Sequence, residues 1–164
     1  MRNITVASSG EDSAVNQYQS TMDATHGLVH SCVMKLRQER SATERPLVSV
    51  VDDDESVRES LPDLLREFGF AARAFSSAKE FLSSDWADQT RCLILDIAMP
   101  GMSGPELQQE LKLRRREIPI VFITAQRDET IRARVLKQGA AGFLLKPFSD
   151  TALLAAIKTA LQVT

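Results

Sequence analysis

Cysteine is scarce in this chain. Its 164 residues include only Cys32 and Cys92, and the two form no CxxC pair. That argues against a disulfide scaffold or a cysteine-rich zinc site, and it suits a reducing cytoplasm. No apolar run approaches the roughly 20 residues that span a bilayer, so no membrane association is expected. Met1 to Gly10 lacks the apolar block of a secretory signal. Net charge is small as well, at −2, which gives no bulk attraction to nucleic acid or anionic lipid. What the chain does have is 43% apolar residues, enough for a real core, and a length that suggests one domain with some tail to spare.

Composition changes near residue 45. Residues 1–45 hold both histidines and the only tyrosine and are rich in Ser, Thr, Asn and Gln. Apolar residues from Val15 to Leu36 fall at loosely helical spacing, interrupted by Gly27. This extension is expected to be partly helical or disordered, with a linker from Ser41 to Pro46. His26 and His30, four apart with Asp23 and Cys32 nearby, could share a helix face as a zinc site. That is not the expected reading, and a phosphohistidine role is less favoured still.

From Leu47 strand and helix signals alternate, which makes 46–164 the folded domain. Strands are expected at Leu47–Val51, Phe70–Phe75 (weaker, nearer an edge), Cys92–Leu95, Ile118–Thr124 and Ala141–Leu145. Helices are expected at Ser56–Phe68, Ser77–Ser83, from Ser103 to about Leu113, at Thr130–Gln138 and at Thr151–Leu161. Ser77 with Glu80 and Ser103 with Glu106 have capping-box spacing. Gly69 and Gly139 mark helix ends. Strands that are apolar throughout, alternating with helices, predict a five-stranded parallel sheet covered on both faces, an open doubly wound α/β fold. Pro62 resists this reading, because proline inside a helix costs about 3 kcal/mol.

In such a sheet, ligands bind outside the carboxyl ends of the strands. After the first strand comes Asp52-Asp53-Asp54-Glu55. The third ends in Asp96, the fourth in Thr124, and the fifth in Lys146-Pro147. Asp52, Asp53 and Asp96 would repel one another without a neutralising cation, and Mg²⁺ prefers one or two carboxylates plus waters and phosphate oxygens. Phosphoryl transfer needs in-line positioning and charge neutralisation above all. Lys146 supplies a point charge, Thr124 a hydroxyl, and Asp96, the carboxylate at the centre of the sheet, the natural nucleophile.

Taken in order, Val51-Asp52-Asp53, Leu95-Asp96 with Met99-Pro100 and Gly104, Thr124-Ala125, and Lys146-Pro147-Phe148 resemble the receiver domain of two-component response regulators over about residues 47–161. The resemblance implies a flavodoxin-like (βα)5 fold with Asp96 as the phosphorylation site. It implies Mg²⁺ bound directly by Asp53, mostly through water by Asp52, and by Asp96 and the backbone carbonyl of Ala98. It implies a sensor histidine kinase or phosphotransfer protein as partner. It further implies a switch through Thr124 and Phe143 onto the fourth helix, fifth strand and fifth helix, and a homodimer on phosphorylation. The local sequence is most similar to receivers that precede a helix-turn-helix domain. No such domain follows here, so DNA binding is not expected of this chain.

Three other readings compete. A phosphatase with an aspartyl nucleophile usually carries an acid two residues later, where this chain has Ala98. A flavin-binding module would need a Ser/Thr/Gly-rich loop after the first strand, where four acids stand. A degenerate receiver would lack part of the acidic set. The expected role is therefore that of a signalling switch rather than an enzyme, limited to its own phosphorylation and slow dephosphorylation. Cys92 reads as a small buried hydrophobe, and Trp86 has no assigned role.

Overall fold

A computed structural model describes residues 45–162. The expectations for the extension, including the Val15–Leu36 helix and the His26/His30 zinc site, lie outside the described residues. The domain runs β1 (Leu47–Val51), α1 (Glu55–Glu67), β2 (Ala71–Phe75), α2 (Ala78–Ser83), β3 (Cys92–Asp96), α3 (Gly104–Leu113), β4 (Ile120–Thr124), α4 (Glu129–Lys137), β5 (Gly142–Leu145) and α5 (Asp150–Gln162). All strand pairs are parallel, in the order β2-β1-β3-β4-β5. The weak second strand is indeed an edge strand.

Two apolar clusters explain the all-apolar strands. Alternate residues of one strand point to opposite faces. Leu93 and Leu95 join Phe81, Leu107, Leu111, Phe122 and Val135 on the face covered by α2, α3 and α4. Cys92 and Ile94 join Leu61, Leu65, Val121, Leu153 and Ile157 under α1 and α5. Every residue of β3 and β4 is buried, whereas all four of β5 are only half-buried. Helix α4 buries Val135 alone. Burial pushes the Cys92 thiol up to about 12, so it behaves as a core atom rather than a reactive thiol.

Local signals act largely as the sequence suggests. Ser103 donates its N–H (2.8 Å) and hydroxyl (2.7 Å) to Glu106 at the start of α3. At α2, Ser77 accepts from the Glu80 N–H, but the Glu80 carboxylate takes the N–H and hydroxyl of Ser76 instead of Ser77. Helix α1 continues through Pro62 to Glu67, and the proline ring is buried beside Leu61 and Leu65. That apolar burial offsets part of the lost backbone hydrogen bond. Gly69 and Gly139 both take φ of 91°, as their helix-ending positions require.

Candidate functional site

The crossover direction reverses between β1 and β3, which opens a crevice at their carboxyl ends. Val51 pairs with Leu95 across these strands, so the next residues, Asp52 and Asp96, stand side by side at the crevice. Carboxylate oxygens of Asp52, Asp53 and Asp96 lie within 4.8 Å of one another. The adjacent acids differ sharply, because the Asp52 side chain is buried while Asp53 is exposed.

Lys146 follows β5, and its backbone N–H donates to the Thr124 carbonyl at 2.8 Å. Its Nζ reaches Asp52 Oδ2 at 2.7 Å and Asp96 Oδ1 at 3.2 Å. The side chains of Asp52 and Asp96 are only 1% and 7% exposed, against 22% for Lys146. The Asp54 N–H donates to the second Asp52 oxygen at 2.9 Å, and the Ala98 N–H to the second Asp96 oxygen at 3.1 Å. Thr124 closes β4 and is buried, and its Oγ1 accepts from the Gln126 N–H at 3.1 Å. Phe143 is half-buried against the core, with the Arg132 guanidinium 5.7 Å from its ring centre.

The electrostatics follow from one cation serving two buried acids. Burial raises the Asp96 carboxyl above the usual aspartate range. The Asp52 and Asp53 charges add to that, while Lys146 opposes it. For Lys146, burial works against the charge, yet the Asp52 hydrogen bond and the Asp96 charge outweigh it and raise its pKa. With one ammonium against three acids, the cluster carries net negative charge.

Gly104 makes the crevice possible from the α3 side. A Cβ there would lie 2.3 Å from the Asp96 carbonyl oxygen and 3.1 Å from Phe122 Cε1. The Gly104 N–H donates to the Ile97 carbonyl at 3.0 Å, which ties the start of α3 to the loop carrying Ala98.

A model of the response regulator receiver domain matches residues 48–158. The chain belongs to that family. The receiver is 45% identical over 121 residues to Nodulation protein W of Bradyrhizobium diazoefficiens, covering 74% of this chain and 53% of that protein. It is 40% identical over 117 residues to the response regulator protein TodT of Pseudomonas putida, covering 71% and 52%. The chain therefore spans about half the length of the curated relatives it matches. Among solved structures, response regulator StyR superposes with a TM-score of 0.68 at 51% identity, covering 73% of this chain and 60% of that one. FixJ-N superposes at 0.67 with 37% identity, covering 74% and 98%. Among the receiver's described residues, no helix is long and apolar enough to cross a membrane.

Every candidate named from the sequence in the four strand-end loops stands at this rim. Arg58 was missed. From the end of the first turn of α1 its Nη1 reaches back to the carbonyls of Asp52 (3.1 Å) and Asp53 (2.6 Å). The available signal was an arginine four residues past the Asp54 cap, since helical side chains lean toward the N-terminus.

Proposed function

We propose that this receiver accepts a phosphoryl group on Asp96 in a Mg²⁺-dependent reaction with a histidine kinase or phosphotransfer protein, and that the change is relayed to the face formed by α4, β5 and α5. One observation carries the reading: the carboxylates of Asp52, Asp53 and Asp96 crowd within 4.8 Å of one another, and a single lysine ammonium pairs with two of them. The donor set suits Mg²⁺, because it is made of hard oxygens. Asp53, exposed, would ligate directly. Asp52, buried and paired with Lys146, would act mostly through water. Asp96 and the Ala98 carbonyl would complete the protein ligands. When bound, Mg²⁺ neutralises the acids and draws charge from the phosphoryl oxygens.

A carboxylate oxygen of Asp96 attacks phosphorus in line. The P–N bond of the phosphohistidine donor breaks and its electron pair returns to the imidazole. Lys146 Nζ donates to one phosphoryl oxygen. Thr124 keeps its hydroxyl hydrogen for another, because its Oγ1 is acting as an acceptor toward Gln126. Ala98, two residues past Asp96, has no acid with which to protonate a leaving group. That supports a switch, confined to its own phosphorylation and slow dephosphorylation, over a phosphatase. Incubation with acetyl phosphate and Mg²⁺ is expected to add the mass of one phosphoryl group, and chelation to prevent it. A protein that never gains this mass would end the reading.

Thr124 is read as moving toward the phosphoryl group and Phe143 as turning inward behind it. Phenylalanine carries no hydroxyl, so its burial strands no hydrogen bond. Arg132, Arg134 and Lys137 on α4, with Arg127 before it, are exposed and form the contact surface. Sedimentation with beryllofluoride is expected to show tighter self-association than without it, and an unchanged mass would remove the dimer. We place the receiver at 46–164, treat 1–45 as its extension, and assign the chain to the cytoplasm.

A further inference from the structure

We infer that Arg58 is a positioning residue for the cation site: it holds the backbone of the acidic loop so that Asp53 is presented to the ion before the ion arrives. The inference rests on the Mg²⁺ reading above.

The three acids are not held alike. Asp52 is fixed through its side chain by Lys146 and the Asp54 N–H. Asp96 is fixed by Lys146 and the Ala98 N–H. Among the described residues, nothing hydrogen-bonds the Asp53 carboxylate, although it is the exposed acid and the one assigned to direct ligation. Its orientation therefore depends on the peptide units on either side of it. Arg58 bonds both of those carbonyls through one nitrogen, at 3.1 Å and 2.6 Å. A carbonyl bond to an ionised donor is stronger and shorter than a neutral one. Among the described residues Arg58 makes no ion pair with a carboxylate within contact distance; its charge helps lower the Glu80 carboxyl from a distance, while its hydrogen bonds go to backbone.

The sign of the effect separates this role from simple electrostatics. A guanidinium near a cation site repels the cation, so removing it for its charge alone would tighten Mg²⁺ binding. Removing a brace would loosen the loop, let the acids spread apart, and weaken binding, because their convergence would have to be re-established at each binding event.

The test is calorimetric titration of Mg²⁺ into the full chain, the Arg58→Met variant and the Arg58→Gln variant, with circular dichroism of each metal-free protein. Arg58→Met is expected to bind Mg²⁺ about tenfold more weakly. Arg58→Gln, which keeps one neutral donor, is expected to fall between it and the parent. Both are expected to retain the parent's secondary structure. If Arg58→Met does not fold, the Gln variant carries the comparison. A folded variant that binds Mg²⁺ as tightly as the parent, or more tightly, overturns the role of Arg58 and leaves the site reading standing. A parent that binds no Mg²⁺ overturns the site reading, and this inference with it.

Discussion

Asp96→Asn is expected to take up no phosphoryl group and, in the absence of metal, to melt at a higher temperature than the parent. The first half follows from chemistry: an amide is a poor nucleophile toward phosphorus, and no other described carboxylate stands at the centre of the sheet edge. The second half follows from the crowding. Asp96 is buried, faces Asp52 and Asp53, and shares one ammonium with Asp52, so its carboxyl is raised. The unfolded chain releases this proton near 3.8 and the folded protein releases it only at higher pH. Stability from this group is thus intact below 3.8 and declines as pH rises through the folded-state value. Asparagine does not ionise, so the gap between the two proteins opens over that window and then holds. Intact mass after acetyl phosphate tests the first half. Melting curves in chelator across the pH range test the second. A variant that melts below the parent at neutral pH would mean that the Lys146 and Ala98 hydrogen bonds outweigh the relief of repulsion.

Gly104→Ala is expected to destabilise the domain by about 3 kcal/mol, at the upper end for overpacking. Two effects compete. Alanine in place of glycine favours a helix by up to about 1 kcal/mol. Against that, the new methyl would sit 2.3 Å from a backbone oxygen of Asp96. That oxygen cannot swing away like a side-chain tip, because β3 is paired on both sides and buried throughout. The start of α3 must retreat instead and draw the Ala98 loop with it, so Mg²⁺ affinity should fall too. Urea unfolding in chelator measures the first effect. A loss below about 1 kcal/mol would show that the loop yields cheaply.

The strand-end rule made most of this site legible before any coordinates. Asp52, Asp96, Thr124 and Lys146 each follow directly from where an apolar run stops. Four things were not legible. The split between buried Asp52 and exposed Asp53 depends on the turn out of β1, which two adjacent aspartates do not encode. The preference of Lys146 for Asp52, 2.7 Å against 3.2 Å, is set by the approach of β5 to the crevice. Glu80 serves Ser76 because the chain enters α2 with an adjacent serine in reach, and spacing alone gives both serines similar standing. Pro62 looked costly because its burial comes with the fold and is invisible to helix propensity.

The packing described for the sheet divides the domain into a stiff half and a compliant one. Strands β1, β3 and β4 are buried almost throughout, whereas β5 is half-covered and α4 fully buries only Val135. A small displacement at the rim finds little to deform on the buried side. On the proposed reading it is expected to be absorbed where resistance is least, so that a change of a few atoms beside Asp96 is delivered to one surface instead of dissipating through the whole body.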